Sequence, residues 1–134
     1  MRGNKVLINL SLLLILLYSG CGVQDNLKEN SQDEDRQELN FLASEIYNII
    51  GDALSNDPAD CRMIAFGSKP CGGPLGYLVY SINDTDTLLL VAKVELYNLK
   101  QEAHNNKWGI NSDCMFVGPP DSLICEDGHC VAVY

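Results

Sequence analysis

The chain has 134 residues, with 9 basic against 18 acidic side chains and a formal net charge of −9. That balance repels nucleic-acid phosphates and anionic headgroups, so a nucleic-acid partner is excluded as an expectation. The length is that of one modest domain.

Arg2 and Lys5 precede an apolar run from Val6 to Tyr18 that only Asn9 and Ser11 interrupt. Thirteen residues fall short of the roughly 20 that a membrane-crossing helix needs, and the pattern is that of a cleaved export signal. Small residues at Ser19 and Gly20 give a peptidase access to the backbone just before Cys21. Residues 1–20 are thus expected to leave, taking two of the nine basic residues and none of the acidic ones.

Leu17-Tyr18-Ser19-Gly20-Cys21, with the apolar run ahead of it, resembles the lipobox of bacterial lipoprotein precursors. Tyr18 stands where that family usually carries Leu, and Leu17 lies one step earlier. The resemblance implies lipidation of Cys21 and a membrane partner reached through that anchor. It also implies several acyl chains, whereas a single chain binds a bilayer only marginally. Gly22 is not the aspartate that the family associates with inner-membrane retention, which points to the outer membrane of the cell envelope.

Residues 21–35 read as a tether. They are polar and lack aromatic side chains, with Asp33-Glu34-Asp35 clustered at the end. Such a segment buries too little apolar surface to order itself and reaches about 20 Å. The folded domain is expected over 36–134.

Leu39, Leu42, Ala43, Ile46, Ile49, Ile50, Ala53 and Leu54 recur at helical spacing, which predicts a helix from Arg36 to Leu54. Ser55-Asn56-Asp57-Pro58 is its expected stop. Cys61–Phe66 is short, apolar and bounded by turn residues, which suits a strand. In the irregular stretch from Gly67 to Pro74, Pro74 can open a short helix carrying Tyr77 and Tyr80. A strand from Leu75 to Ser81 is the competing reading. Asp84 and Asp86 lie in an N-cap cluster that opens a long helix ending near Asn105-Asn106. Its expected core stripe is Leu89, Ala92, Leu96, Leu99 and Ala103, widened by Leu88, Val91 and Val94. Trp108 is expected to cover an end of the core. Short apolar runs follow, and Asp127-Gly128 between two of them signals a two-residue hairpin.

Cys61, Cys71, Cys114, Cys125 and Cys130 are an odd set in an exported chain. Oxidising surroundings favour disulfides over metal thiolates, so two bridges and one leftover thiol are expected. A Cys125–Cys130 bridge across the hairpin is possible, but a long bridge from Cys61 or Cys71 to the C-terminal strands stabilises a small core more. The fold expected is α+β: two amphipathic helices packed on a short antiparallel C-terminal sheet, held by disulfides.

The chemistry available is sparse. Lys69, Gly72 and Gly73 mark a possible binding loop, either an amide cradle for an anion or a protease-blocking loop. Pro70 directly after Lys69 disfavours cleavage-site mimicry. His104 and His129 are the only histidines, and neither lies in a nucleophile motif. Cys125, His129, Cys130 and Cys114 are close in sequence, but adjacent strand residues face opposite ways, which disfavours zinc. Asp84 and Asp86 lack the glycine and glutamate of a calcium loop.

Cys61-x-x-Ile64-x-Phe66-Gly67-x-Lys69-x-Cys71-Gly72-Gly73-Pro74, followed by Tyr77 and Tyr80-Ser81, is similar to a pattern in small exported bacterial proteins. The similarity runs from about Cys61 to Cys130 and implies no activity. The expectation is a non-enzymatic envelope lipoprotein, without cofactor or metal, that binds a protein partner or serves a structural role. The alternative is an inhibitor or immunity-type blocker of an envelope or extracellular enzyme.

Overall fold

Ser31 opens the first helix in a computed structural model that describes residues 30–134. The Glu34 amide donates to Ser31 Oγ at 3.2 Å, and the Ser31 amide donates to Glu34 Oε2 at 2.7 Å. This reciprocal capping box satisfies two amides that a helix start leaves orphaned. Helix α1 is therefore Gln32–Ile50, beginning four residues before the expected boundary at Arg36. Asp33, Glu34 and Asp35 are its first turn, where acid complements the helix dipole, and not the end of a tether. The expected export signal, Cys21 and the expected tether up to residue 29 lie outside the described residues.

Gly51 ends α1 earlier than expected. It adopts φ 60°, and its amide donates to the Tyr47 carbonyl at 3.0 Å. Ala53 and Leu54 thus leave the helix. Leu54 forms an isolated bridge with His129, and the Cys130 amide donates to the Ala53 carbonyl at 2.9 Å.

A single 3-10 turn (Pro58–Asp60) leads into β1 (Cys61–Phe66), which pairs antiparallel with β2 (Gly76–Ser81). The helix expected from Pro74 does not form, and the competing strand does. Pairing with β1 from Cys61↔Ser81 to Phe66↔Gly76 gives the 76–81 backbone partners that a short isolated helix would lack. Asp86 caps helix α2 (Thr87–Trp108) by accepting the Leu89 amide at 3.1 Å, and Gly109 closes it in the left-handed region. The chain ends in β3 (Ser122–Glu126) and β4 (His129–Val133). Asp127 and Gly128, with φ of 51° and 82°, make the expected turn and set Cys125 opposite Cys130.

The architecture is α+β with two separate two-stranded sheets. The helices pack chiefly on each other and on β1 and β2, while the C-terminal hairpin packs against that first hairpin. This differs from the single C-terminal sheet expected beneath the helices. Leu39, Leu42, Ile46 and Ile50 of α1 meet Leu90, Val94 and Tyr97 of α2, with Tyr80, Cys61 and Cys130 closing the core. Phe66 stacks on Tyr97 with ring centroids 4.4 Å apart.

Two disulfides staple this small core. Cys61–Cys130 joins the two hairpins across 69 residues, and Cys71–Cys114 ties the glycine-rich loop to the segment after α2. Cys125 is left unpaired, matching the two bridges, the leftover thiol and the long link to the C-terminal strands expected from the sequence.

Candidate functional site

The core-facing side of α2 is not the stripe that its leucines predicted. Leu90, Val94 and Tyr97 are buried, whereas Leu88 is 86% exposed, Leu99 65%, Leu89 44% and Leu96 41%. Ala92 and Ala103 are exposed as well. At 100° per residue, Leu89, Ala92, Leu96, Leu99 and Ala103 share one face, turned away from the core. A soluble domain rarely leaves such a continuous apolar run in water, and an unpartnered one marks an interaction surface.

Polar side chains fix which way the helix is turned. Asn98 Oδ1 accepts the Gly67 amide at 2.7 Å, Gln101 Oε1 accepts the Ser68 amide at 2.8 Å, and Asn105 Nδ2 donates to the Ser68 carbonyl at 2.8 Å. Asn98, Gln101 and Asn105 sit at i, i+3 and i+7, forming a polar row that satisfies the backbone leaving β1. The sequence reading missed this row, although its helical spacing opposite the leucines is a detectable signal.

Charge borders the apolar face on both sides. Lys93, Lys100 and Lys107 line one edge and bridge to Glu45 at 2.9 Å, Glu38 at 2.8 Å and Asp35 at 3.0 Å on α1. The pairs run in opposite order along the two helices, so α1 and α2 are antiparallel. Glu95 and Glu102 are exposed on the other edge. The result is an apolar stripe with lysine on one flank and glutamate on the other.

The expected binding loop is internally committed. Lys69 Nζ donates to the Met115 carbonyl at 2.6 Å and lies 3.7 Å from Asp113, and the lysine side chain is only 11% exposed. The Met115 amide, then Lys69, holds the Asp113 carboxyl below its usual range. Within the loop the Lys69 amide donates to Gly73 and the Gly72 amide to Lys69, both at 2.9 Å. Those amides are spent on the turn, and Lys69 is folded back toward residues 113–115 instead of projecting into a partner's pocket.

His104 lines a cleft of about 190 Å³ between the helices with Asp35, Glu38, Lys100 and Lys107. Its Nε2 is buried without a hydrogen-bond partner among the described residues. Both carboxylates in this cleft are engaged by lysines, and its lining holds no hydroxyl or thiol nucleophile. His129 is elsewhere, with Nδ1 2.8 Å from the Asp52 carbonyl.

Cys61, Cys125 and Cys130 bring their sulfurs within 4.8 Å of one another. With Cys61 and Cys130 bonded, the cluster offers one thiol and not the three thiolates a soft metal would require. Cys125 Sγ lies 3.8 Å from Cys61 Sγ, close enough to make the bridge exchangeable. Among the described residues, no helix is long and apolar enough to cross a membrane. Comparison with protein-family models, curated proteins and solved structures returns no significant match.

Proposed function

We propose that the chain is an envelope lipoprotein, anchored through Cys21, that acts without catalysis as a protein-binding module whose contact surface is the outward face of α2. The observation that supports this reading is the run of exposed apolar side chains from Leu88 to Ala103 on one face of a well-capped helix. Water contact at these positions is unfavourable, and a partner that covers them gains about 25 cal/mol per Å² of apolar area buried. The resemblance of residues 17–21 to a lipobox supports display at a membrane.

Two measurements test the proposal. In the full chain, Cys21→Ser should abolish palmitate labelling and detergent partitioning; equal recovery of both forms in the aqueous phase contradicts the anchor. A photo-crosslinking side chain at Leu99 should capture protein in the native envelope, while one at Met63, exposed on β1, should not. Indistinguishable labelling from the two positions contradicts the α2 surface.

A further inference from the structure

The α2 face has a spacing more specific than exposure alone. Leu89, Ala92, Leu96, Leu99 and Ala103 alternate steps of three and four, the a and d positions of a heptad repeat. In that register Glu95 and Glu102 occupy g positions, and Lys93, Lys100 and Lys107 occupy e positions. We propose that this face binds a second copy of the same chain, α2 against α2 in parallel; this rests on the binding surface proposed above and names its partner.

Charge decides the direction. In a parallel pair, each g position meets the e position five residues further along the other helix. Glu95 then meets Lys100 of the second copy, and Glu102 meets its Lys107, with both contacts repeated by the two-fold axis. An antiparallel pair sets glutamate beside glutamate and lysine beside lysine. Lys100 already serves Glu38 on α1, but an ammonium carries three donors, so it can bridge carboxylates on both sides. Lys107 is committed to Asn30 and Asp35, which makes Glu95–Lys100 the stronger of the two contacts.

Chain entry selects the same direction. Lys107 Nζ donates to the Asn30 carbonyl at 2.9 Å, which places residue 30 beside the C-terminal end of α2. A parallel pair therefore brings both chains in at one end, which suits two anchors in a single bilayer. An antiparallel pair separates the entries by about the length of α2, roughly 33 Å. The seam is short, and anchoring two copies in one membrane raises their effective concentration for it.

The test uses the full chain, produced in a bacterial envelope and extracted in detergent. Sedimentation should give a dimer, and Leu99→Asp should weaken association by at least about tenfold. At dilutions where both forms are monomeric it should leave the melting temperature unchanged, because Leu99 touches little of its own core. Glu95→Lys with Glu102→Lys should do the same. In a Cys125→Ser background, Leu89→Cys should cross-link to itself under mild oxidant, which only a parallel register allows. Monomers at every concentration reached overturn the proposal. So does Leu89→Cys that joins only Ala103→Cys, the antiparallel outcome. Photo-crosslinking at Leu99 separates this from the broader reading. Capture of a different protein, or of the chain's own residues 1–29, overturns self-pairing and leaves α2 as a contact surface, whereas no capture overturns both.

Discussion

The Trp108 indole Nε1 donates to Asp35 Oδ2 at 2.9 Å, joining the last turn of α2 to the first turn of α1. Lys107 Nζ reaches the same carboxylate oxygen at 3.0 Å, and its ammonium sits 4.7 Å from the centre of the Trp108 ring. One carboxylate thus gathers both residues that end α2. Trp108 closes an end of the helix pair through this polar contact as well as by coverage.

That contact predicts a pH dependence. Lys107, then Trp108, holds the Asp35 carboxyl below its usual value of 3.8. A carboxylate whose folded pKa is depressed contributes stability that is present above the unfolded value and lost as pH falls through the folded one. Asp35→Asn should therefore melt below the wild type at neutral pH, and the gap should close as pH falls from the usual carboxylate range through the depressed folded value. A gap that persists unchanged into strong acid contradicts the assignment.

Capping at Ser31 sets the start of the folded domain. Ser31→Ala should cost about 1 kcal/mol in urea unfolding followed by the fluorescence of Trp108, the only tryptophan. No loss would return residues 31–35 to the tether expected from composition.

Asn98→Leu should cost about 1–3 kcal/mol by the same measurement, because the buried Gly67 amide loses its acceptor. The neighbouring exposed Leu99→Asp should cost little within one copy. A reversed order would mean that the leucine stripe faces inward after all.

Gly67→Ala should cost about 2–4 kcal/mol. Gly67 has φ 81°, and an added Cβ would lie 2.7 Å from the Leu75 side chain. Gly72→Ala, at φ 90° but with no atom near the added carbon, should suffer the backbone penalty alone and cost less.

Cys61→Ala should cost about 4 kcal/mol, since Cys61–Cys130 closes the longer of the two disulfide loops. Cys130→Ser should lose less, because Cys125 can take its place. Peptide mapping of the unreduced protein should then find Cys61 joined to Cys125. A free Cys125 in that variant contradicts the geometry.

The existence of both helices and the Asp127-Gly128 turn was legible in the sequence, because periodicity, caps and positive-φ residues are local signals. The orientation of α2 was not. Leu88, Leu89, Leu90, Val91, Val94 and Tyr97 supply apolar side chains around more than one face, and the leucine count favours the wrong one. Stacking of Tyr97 on Phe66 and the Asn98, Gln101 and Asn105 contacts decide it, and both depend on where β1 ends. The strand at 76–81 was ambiguous for a related reason, since its partner lies across a loop and Gly76 is weak in either conformation.

The nearness of Cys125 to the hairpin-joining bridge also sets a timetable. A chain emerging N-terminus first presents Cys125 to the waiting Cys61 five residues before Cys130 arrives. Of the two cysteines in the C-terminal hairpin, the earlier to emerge is thus the one left unpaired in the finished domain. A Cys61–Cys125 bridge formed in that interval would be corrected when the Cys130 thiolate attacks Cys61 Sγ and Cys125 departs as the leaving thiolate. Thiol–disulfide exchange around Cys125 would then govern the yield of correctly joined domain.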